Sequence, residues 1–148
     1  MDVVKKMLEV AELKPGELLY DLGSGDGRIV HAAAQLFQAK AVGVEIYENL
    51  VEESRRHGKQ LGVSESVTFI RGNIFDVSLK DADVVTVYLL TISNEKIREK
   101  LETELRPGAR VVTHDFPMTR WSPTTKIDYS SESGKHTIYL YKIRQMKN

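Results

Sequence analysis

Between the apolar strand Leu18-Leu19-Tyr20 and an alanine-rich segment running to Phe37 lies Asp21-Leu22-Gly23-Ser24-Gly25-Asp26-Gly27-Arg28. A turn with three glycines in five residues, leaving a strand and opening a helix, restricts a chain to a narrow group of α/β architectures. Glycine strips side chains from backbone that a ligand must approach, and it supplies the positive φ of a sharp strand-to-helix turn. The dinucleotide pattern G-x-G-x-x-G is not met, because Arg28 stands where the third glycine belongs, and a carboxylate, Asp21, precedes the turn. A pyrophosphate beside that carboxylate is repelled, whereas an amino group and a sulfonium are attracted. These residues point to S-adenosylmethionine as the ligand, with a bare tight turn as the alternative.

Helix and strand patterns alternate through most of the chain. Val3, Val4, Met7, Leu8 and Ala11 recur at helical spacing, and Lys14-Pro15-Gly16 stops that helix before the strand Leu18 to Asp21. A helix from Gly27 to Phe37 leads to an apolar strand, Ala41 to Val44, ending in Glu45. A helix from Asn49 to Leu61, closed by Gly62, precedes the strand Val67 to Arg71, and the near-continuous apolar run Asp83 to Leu90 reads as a buried parallel strand. A helix from Asn94 to Leu105 then stops at Arg106-Pro107-Gly108 before the strand Arg110 to His114. Asp115 to Pro123 has no helical period, and Thr125 to Ser130 with Thr137 to Ile143 read as a hairpin around Ser133-Gly134. The expected fold is a doubly wound, seven-stranded, Rossmann-like α/β sheet of five parallel strands plus an antiparallel C-terminal hairpin, forming one domain over residues 1–148.

Composition narrows the partners. Hydrophobic residues make up 41% of the 148, enough for one two-sided core and too little chain for a second catalytic domain. Lys plus Arg and Asp plus Glu both number 21, so no global basic field draws a nucleic-acid backbone, and nucleic acid is disfavoured as a partner. Cysteine is absent, which removes disulfides, zinc–cysteine sites and thiol chemistry and fits a reducing, cytoplasmic setting or a hot habitat. The apolar runs are too short to cross a bilayer, so no membrane partner is expected.

In an open α/β sheet the ligand lies beyond the carboxyl ends of the strands. The residues at those ends form the candidate cofactor set: Asp21, Gly23, Ser24 and Gly25 after the first strand, Glu45 and Ile46 after the second, Asn73 and Ile74 after the third. Glu45 lies 22 positions beyond Gly23, near the spacing at which a carboxylate accepts from ribose hydroxyls; capping the next helix is its alternative role. Asn73 can pair with an adenine edge while Ile74 packs on its face, or Asn73 can be a plain turn residue. The fourth strand end, Tyr88-Leu89-Leu90-Thr91, is expected beside the reactive methyl group. Displacement at a sulfonium needs mainly alignment of the nucleophile and loss of its water and proton, so no strong base is obligatory. Tyr88 and Thr91 are candidates for that alignment, with Tyr139, Phe116 and Trp121 as an aromatic wall favouring an ammonium, or alternatively as packing. His31, His57, His114 and His136 fall on separate elements without paired carboxylate spacing, so no metal is expected, and His114-Asp115 can help orient a substrate. Arg55, Arg56, Lys59, Lys96, Arg98 and Lys100 read as solvated helix faces interleaved with Glu52, Glu53, Glu95 and Glu99.

Over nearly its whole length the chain also resembles a small seven-strand class I methyltransferase, most closely the archaeal broad-specificity protein lysine methyltransferases and the ATP synthase c-subunit lysine methyltransferases. The resemblance is carried by Tyr20 to Val30, by Val42-Gly43-Val44-Glu45, by Val84 to Thr91, and by Leu105 to Val112 continuing into Phe116 and Trp121-Ser122-Pro123. The first two segments are shared by many methyltransferases and imply the cofactor; the last two are narrower and imply the lysine-modifying branch. A more distant similarity reaches the non-SET histone lysine methyltransferases, where the segment matching Tyr88 to Thr91 borders a lysine channel and a tyrosine matching Tyr139 lines it. Relatives usually carry a Tyr/Pro-rich segment ahead of the first helix, whereas this sequence begins at the helix, so tight cofactor binding and full activity are expected to suffer if that segment covers the cofactor. The resemblance implies an S-adenosylmethionine-dependent protein lysine N-methyltransferase whose substrate is a protein presenting lysine. The alternatives are a small-molecule or RNA methyltransferase on the same core, or a cofactor-binding subunit without catalysis. No target protein, methylation number or oligomeric state is specified by these residues.

Overall fold

The protein is described from a computed structural model covering residues 2–87 and 95–144. Its elements are α1 (Asp2–Val10), β1 (Leu18–Leu22), α2 (Arg28–Phe37), β2 (Lys40–Glu45), α3 (Glu48–Leu61), β3 (Val67–Arg71), a 3-10 turn (Ile74–Asp76), β4 (Val84–Val87), α4 (Glu95–Glu104), β5 (Arg110–His114), β6 (Thr125–Ser131) and β7 (Gly134–Lys142). The seven strands form one sheet in the order β3-β2-β1-β4-β5-β7-β6. Strands β1 to β5 pair in parallel, and β7 runs antiparallel to both β5 and β6. The sheet is therefore the doubly wound one expected, and the strand order reverses between β1 and β4, which opens a crevice at their carboxyl ends.

Alternation along the strands sends side chains to two cores. Leu19, Val84, Val112 and Ile138 meet Leu8, Val30, Ala33 and Val51 from α1, α2 and α3 on one face. On the other face Val85, Val111 and Tyr141 meet Ile97 and Leu101 from α4 together with Leu79 from the connection before β4. Both Pro-Gly stops place glycine at positive φ, 82° at Gly16 and 96° at Gly108. Arg110 ties the two connections together, donating to the Ala11 carbonyl at 3.0 Å and gripping the Glu17 carboxylate at 2.5 and 3.1 Å.

Two sequence expectations are corrected here. The hairpin turns at Glu132-Ser133 rather than at Ser133-Gly134, because the ladder continues to a Ser131–Gly134 pair and Gly134 takes φ 120°. Arg98 and Lys100 are not solvated: their side chains are 12% and 8% exposed, since α4 lays their apolar stems against the protein and pairs their heads with Glu102 and Glu104. The expected strand beyond Val87, with Tyr88, Leu89, Leu90 and Thr91, and the expected helix start at Asn94 lie outside the described residues.

Candidate cofactor site

The site grows from the end of β1. Asp21 faces Thr86 across the β1–β4 pair, and the Thr86 hydroxyl donates to Asp21 Oδ1 at 2.7 Å. Burial pushes the Asp21 carboxyl up to about 7, helped by the nearby charges of Glu45 and Asp26 and opposed by the Thr86 hydrogen bond. Beyond it the chain turns through Gly23, Gly25 and Gly27 at φ 86°, 58° and 85°, so all three glycines occupy the left-handed region. The Gly23 and Ser24 amides donate to the Val44 carbonyl at 2.8 and 3.0 Å, which lays the turn across the end of β2. Arg28 stands where the dinucleotide pattern has its third glycine; at the exposed rim of the larger chamber it pairs with Asp26 at 2.7 Å and thereby holds the Asp26 carboxyl below the usual range.

Glu45, at the end of β2, is 7% exposed. Its Oε1 accepts from the Gly25 amide at 2.7 Å and its Oε2 from the Tyr47 amide at 3.1 Å, so it fastens the glycine turn to β2. A carboxylate has about four acceptor sites, which leaves about two for a ligand. Asn73 Oδ1 caps the 3-10 turn by accepting from the Phe75 amide at 2.9 Å, and its amide donors are not used by that bond.

Two cavities meet at Gly23 and Gly25. The larger, of about 630 Å³, is lined by Asp21, Ser24, Thr86, Val87, residues of α1 and the imidazoles of His114 and His136. The smaller, of about 430 Å³, is lined by Val44, Glu45, Ile46, Tyr47, Leu50, Asn73 and Ile74. All eight cofactor candidates therefore converge on these two chambers, one acidic and one mostly apolar with a carboxylate and an amide at its wall. The Ser24 hydroxyl is buried without a protein partner, and a Cβ built on Gly25 would meet nothing within 4 Å, so the turn presents a polar atom and open space.

The aromatic candidates go elsewhere. Tyr139 sits opposite Thr113 and packs on the α4 face, its ring stacked 6.5 Å from Tyr141. Trp121 lies 5.5 Å from Tyr141 and donates its indole N–H to Glu102 at 2.7 Å, beside a separate cavity of about 310 Å³. Phe116 is 51% exposed. Neither chamber at the glycine turn is lined by any of these three rings. Tyr88 and Thr91 lie outside the described residues.

Sequence reasoning overlooked Gly43 as a site residue. A Cβ there would fall 2.7 Å from Ser24 Cβ and Oγ and 2.9 Å from the Phe69 ring, so the turn can cross β2 only over a glycine. The available signal was a lone glycine inside an apolar strand, a mark of close backbone approach. The histidines are also less scattered than their sequence positions suggest: His114 and His136 are in contact at 2.8 Å, because antiparallel pairing of β5 and β7 joins residues far apart in the chain. His31 is a buried ring packed against His57 and Phe69, each at 5.2 Å.

Residues 21–125 match the family described as the ANTKMT methyltransferase domain. The chain belongs to this family. Among relatives of this methyltransferase domain, a protein-lysine N-methyltransferase of Saccharolobus islandicus is 43% identical over 146 residues, 98% of this chain and 91% of the relative. The adenine nucleotide translocase lysine N-methyltransferase of Mus musculus is 40% identical over 140 residues, 95% of this chain, which spans 59% of the mouse protein. A crystal structure described as an RNA methyltransferase from Salinibacter ruber, in complex with S-adenosyl-L-homocysteine, superimposes with a TM-score of 0.91 at 42% identity, covering 99% of this chain and 94% of the other. Among the described residues of the methyltransferase domain, no helix is long and apolar enough to cross a membrane.

Proposed function

We propose that this chain is an S-adenosylmethionine-dependent protein lysine N-methyltransferase. The observation that carries the reading is the pair of chambers joined at the glycine turn, with a buried acid in one and Glu45 in the other, in a chain 43% identical to a protein-lysine N-methyltransferase. The residues present fit the cofactor: Asp21 would hold its cationic end, Glu45 its ribose hydroxyls, and Ile46, Asn73 and Ile74 its base, over the bare backbone of Gly23, Ser24 and Gly25. When bound, the cofactor supplies an electrophilic methyl group on a sulfonium. The protein's own work is to position an amine in line with that methyl and to exclude water from it. Tyr88, next in sequence to the end of β4, is assigned to amine positioning with Thr91; Tyr139, which lines neither chamber, is left out of that assignment. A cytoplasmic location and a protein substrate with an exposed lysine are parts of this reading.

A lysine amine of ordinary pKa about 10.4 is almost wholly protonated at neutral pH, so the rate should climb with pH until another step limits. Labelled-methyl transfer from S-adenosylmethionine into a cell protein extract and, separately, into total RNA tests the assignment. Label on lysine with an alkaline rise in rate supports it; label on RNA would favour the activity named for the Salinibacter structure. The balanced charge of the chain, 21 basic against 21 acidic residues, argues against RNA.

A further inference from the structure

We propose that His114, Asp115 and His136 form a binding site for a borderline divalent transition cation of the zinc class, with both imidazoles in the wall of the larger chamber. His114 ends β5 opposite Ile138 of β7, and His136 lies two residues before Ile138, so strand alternation puts both imidazoles on one face of the sheet. His114 Nε2 and His136 Nδ1 are 2.8 Å apart, and Asp115 Oδ2 lies 3.4 Å from the first and 3.9 Å from the second. The circle through three points so spaced has a radius of about 2.0 Å, which is the length of a zinc–nitrogen or zinc–oxygen bond, about 2.0–2.2 Å. A cation can therefore reach bonding distance of all three atoms with side-chain rotation alone.

The surrounding contacts orient the donors as ligand sets require. His136 Nε2 is 2.8 Å from the Ser133 hydroxyl, which engages the ring's other nitrogen and leaves Nδ1 toward the cluster. Asp115 Oδ1 accepts from the Thr137 amide at 2.9 Å, which leaves Oδ2 toward the rings. The Asp115 backbone is held at φ 68°, unfavourable for a residue other than glycine, by its own amide bond to the Thr137 carbonyl at 2.7 Å. Two imidazoles and one carboxylate select zinc, cobalt or nickel over magnesium or calcium, and three protein ligands leave a coordination position open.

The competing arrangement is a proton shared between the two rings with no cation. Calorimetric titration of the full chain with zinc chloride, and visible spectroscopy of the chain titrated with cobalt(II), separate the two without reference to methyl transfer. The site predicts one saturable equivalent and a visible cobalt band. Asp115→Asn and His136→Asn should each weaken zinc binding by roughly tenfold or more in chains whose circular dichroism is unchanged, while His57→Asn binds as before. Absence of saturable binding, or affinity unchanged in both cluster variants, means a shared proton only and overturns the proposal.

Discussion

Asp21→Asn separates what the buried acid costs the free protein from what it gives the ligand. Removed from water, the Asp21 carboxyl is raised from 3.8 to about 7. It is therefore neutral in the folded chain at pH values where the unfolded chain carries it ionised. Its contribution to stability is fully present below pH about 4 and is lost as pH rises through about 7. At about 1.4 kcal/mol per pH unit, that gap sets a ceiling of about 4 kcal/mol, and water in the adjoining chamber reduces it further. Asparagine keeps an oxygen for the Thr86 hydroxyl and never ionises. Urea unfolding of ligand-free wild type and Asp21→Asn from pH 5 to 8 should thus show the variant gaining relative stability with pH, by about 1–3 kcal/mol at the upper end. Titrating groups other than the neighbouring Glu45 and Asp26 are common to both chains and cancel. Calorimetric titration with S-adenosylmethionine should show the opposite sign, weaker binding in the variant, because the carboxylate proposed to face the cationic end is gone. Parallel stability profiles, or cofactor affinity retained at pH 8, would refute the reasoning.

Substitutions at four further positions test the same reading. Glu45→Ala should weaken S-adenosylmethionine by about 1.5–3 kcal/mol and also lower chemical-unfolding stability by about 1–3 kcal/mol, because the Gly25 and Tyr47 amides lose their shared acceptor. Gly43→Ala should destabilise by about 1–3 kcal/mol in urea unfolding through its clash with Ser24, whereas Gly25→Ala, with open space around its Cβ, should cost only about 1 kcal/mol of stability yet abolish most cofactor binding. Tyr88→Phe should lower kcat roughly ten- to a hundredfold with cofactor affinity nearly constant; wild-type kcat with an inactive Tyr88→Ala would assign the role to the ring rather than the hydroxyl.

The sheet and the lining of the two chambers were readable because their signals are local. Period-two and period-3.6 patterning placed β3 and β5 to the residue, and the glycine turn carries its backbone demand in its own residue types. Strand ends are defined by topology alone in a doubly wound sheet, so Asp21, Glu45 and Asn73 converge once the strand order is known. Features that depend on register were not readable in this way. The contact of His114 with His136 requires knowing that β5 pairs with β7 and that His114 meets Ile138. The face on which Tyr139 lies is a parity question, reversed by a one-residue slip, and composition contains no trace of it.

The double engagement of Glu45 changes what its distance from the glycine turn means. A carboxylate 22 positions beyond Gly23 fits a ribose acceptor, with helix capping as the competing role; the structure gives it a backbone task at the same atoms. The two roles are compatible because each oxygen has a further lone pair. Fastening Gly25 to β2 before any ligand arrives also fixes the loop that the ligand must approach, so less conformational freedom remains to be lost on binding. A variant of the same size that loses the charge and one of the two acceptor oxygens, Glu45→Gln, then distinguishes the contributions. Its amide oxygen can serve only one of the two amides, so unfolding should report partial loss of the loop fastening. A binding deficit of equal size would mean that loop order alone carries the affinity, and a larger one would leave the remainder to the ribose contact.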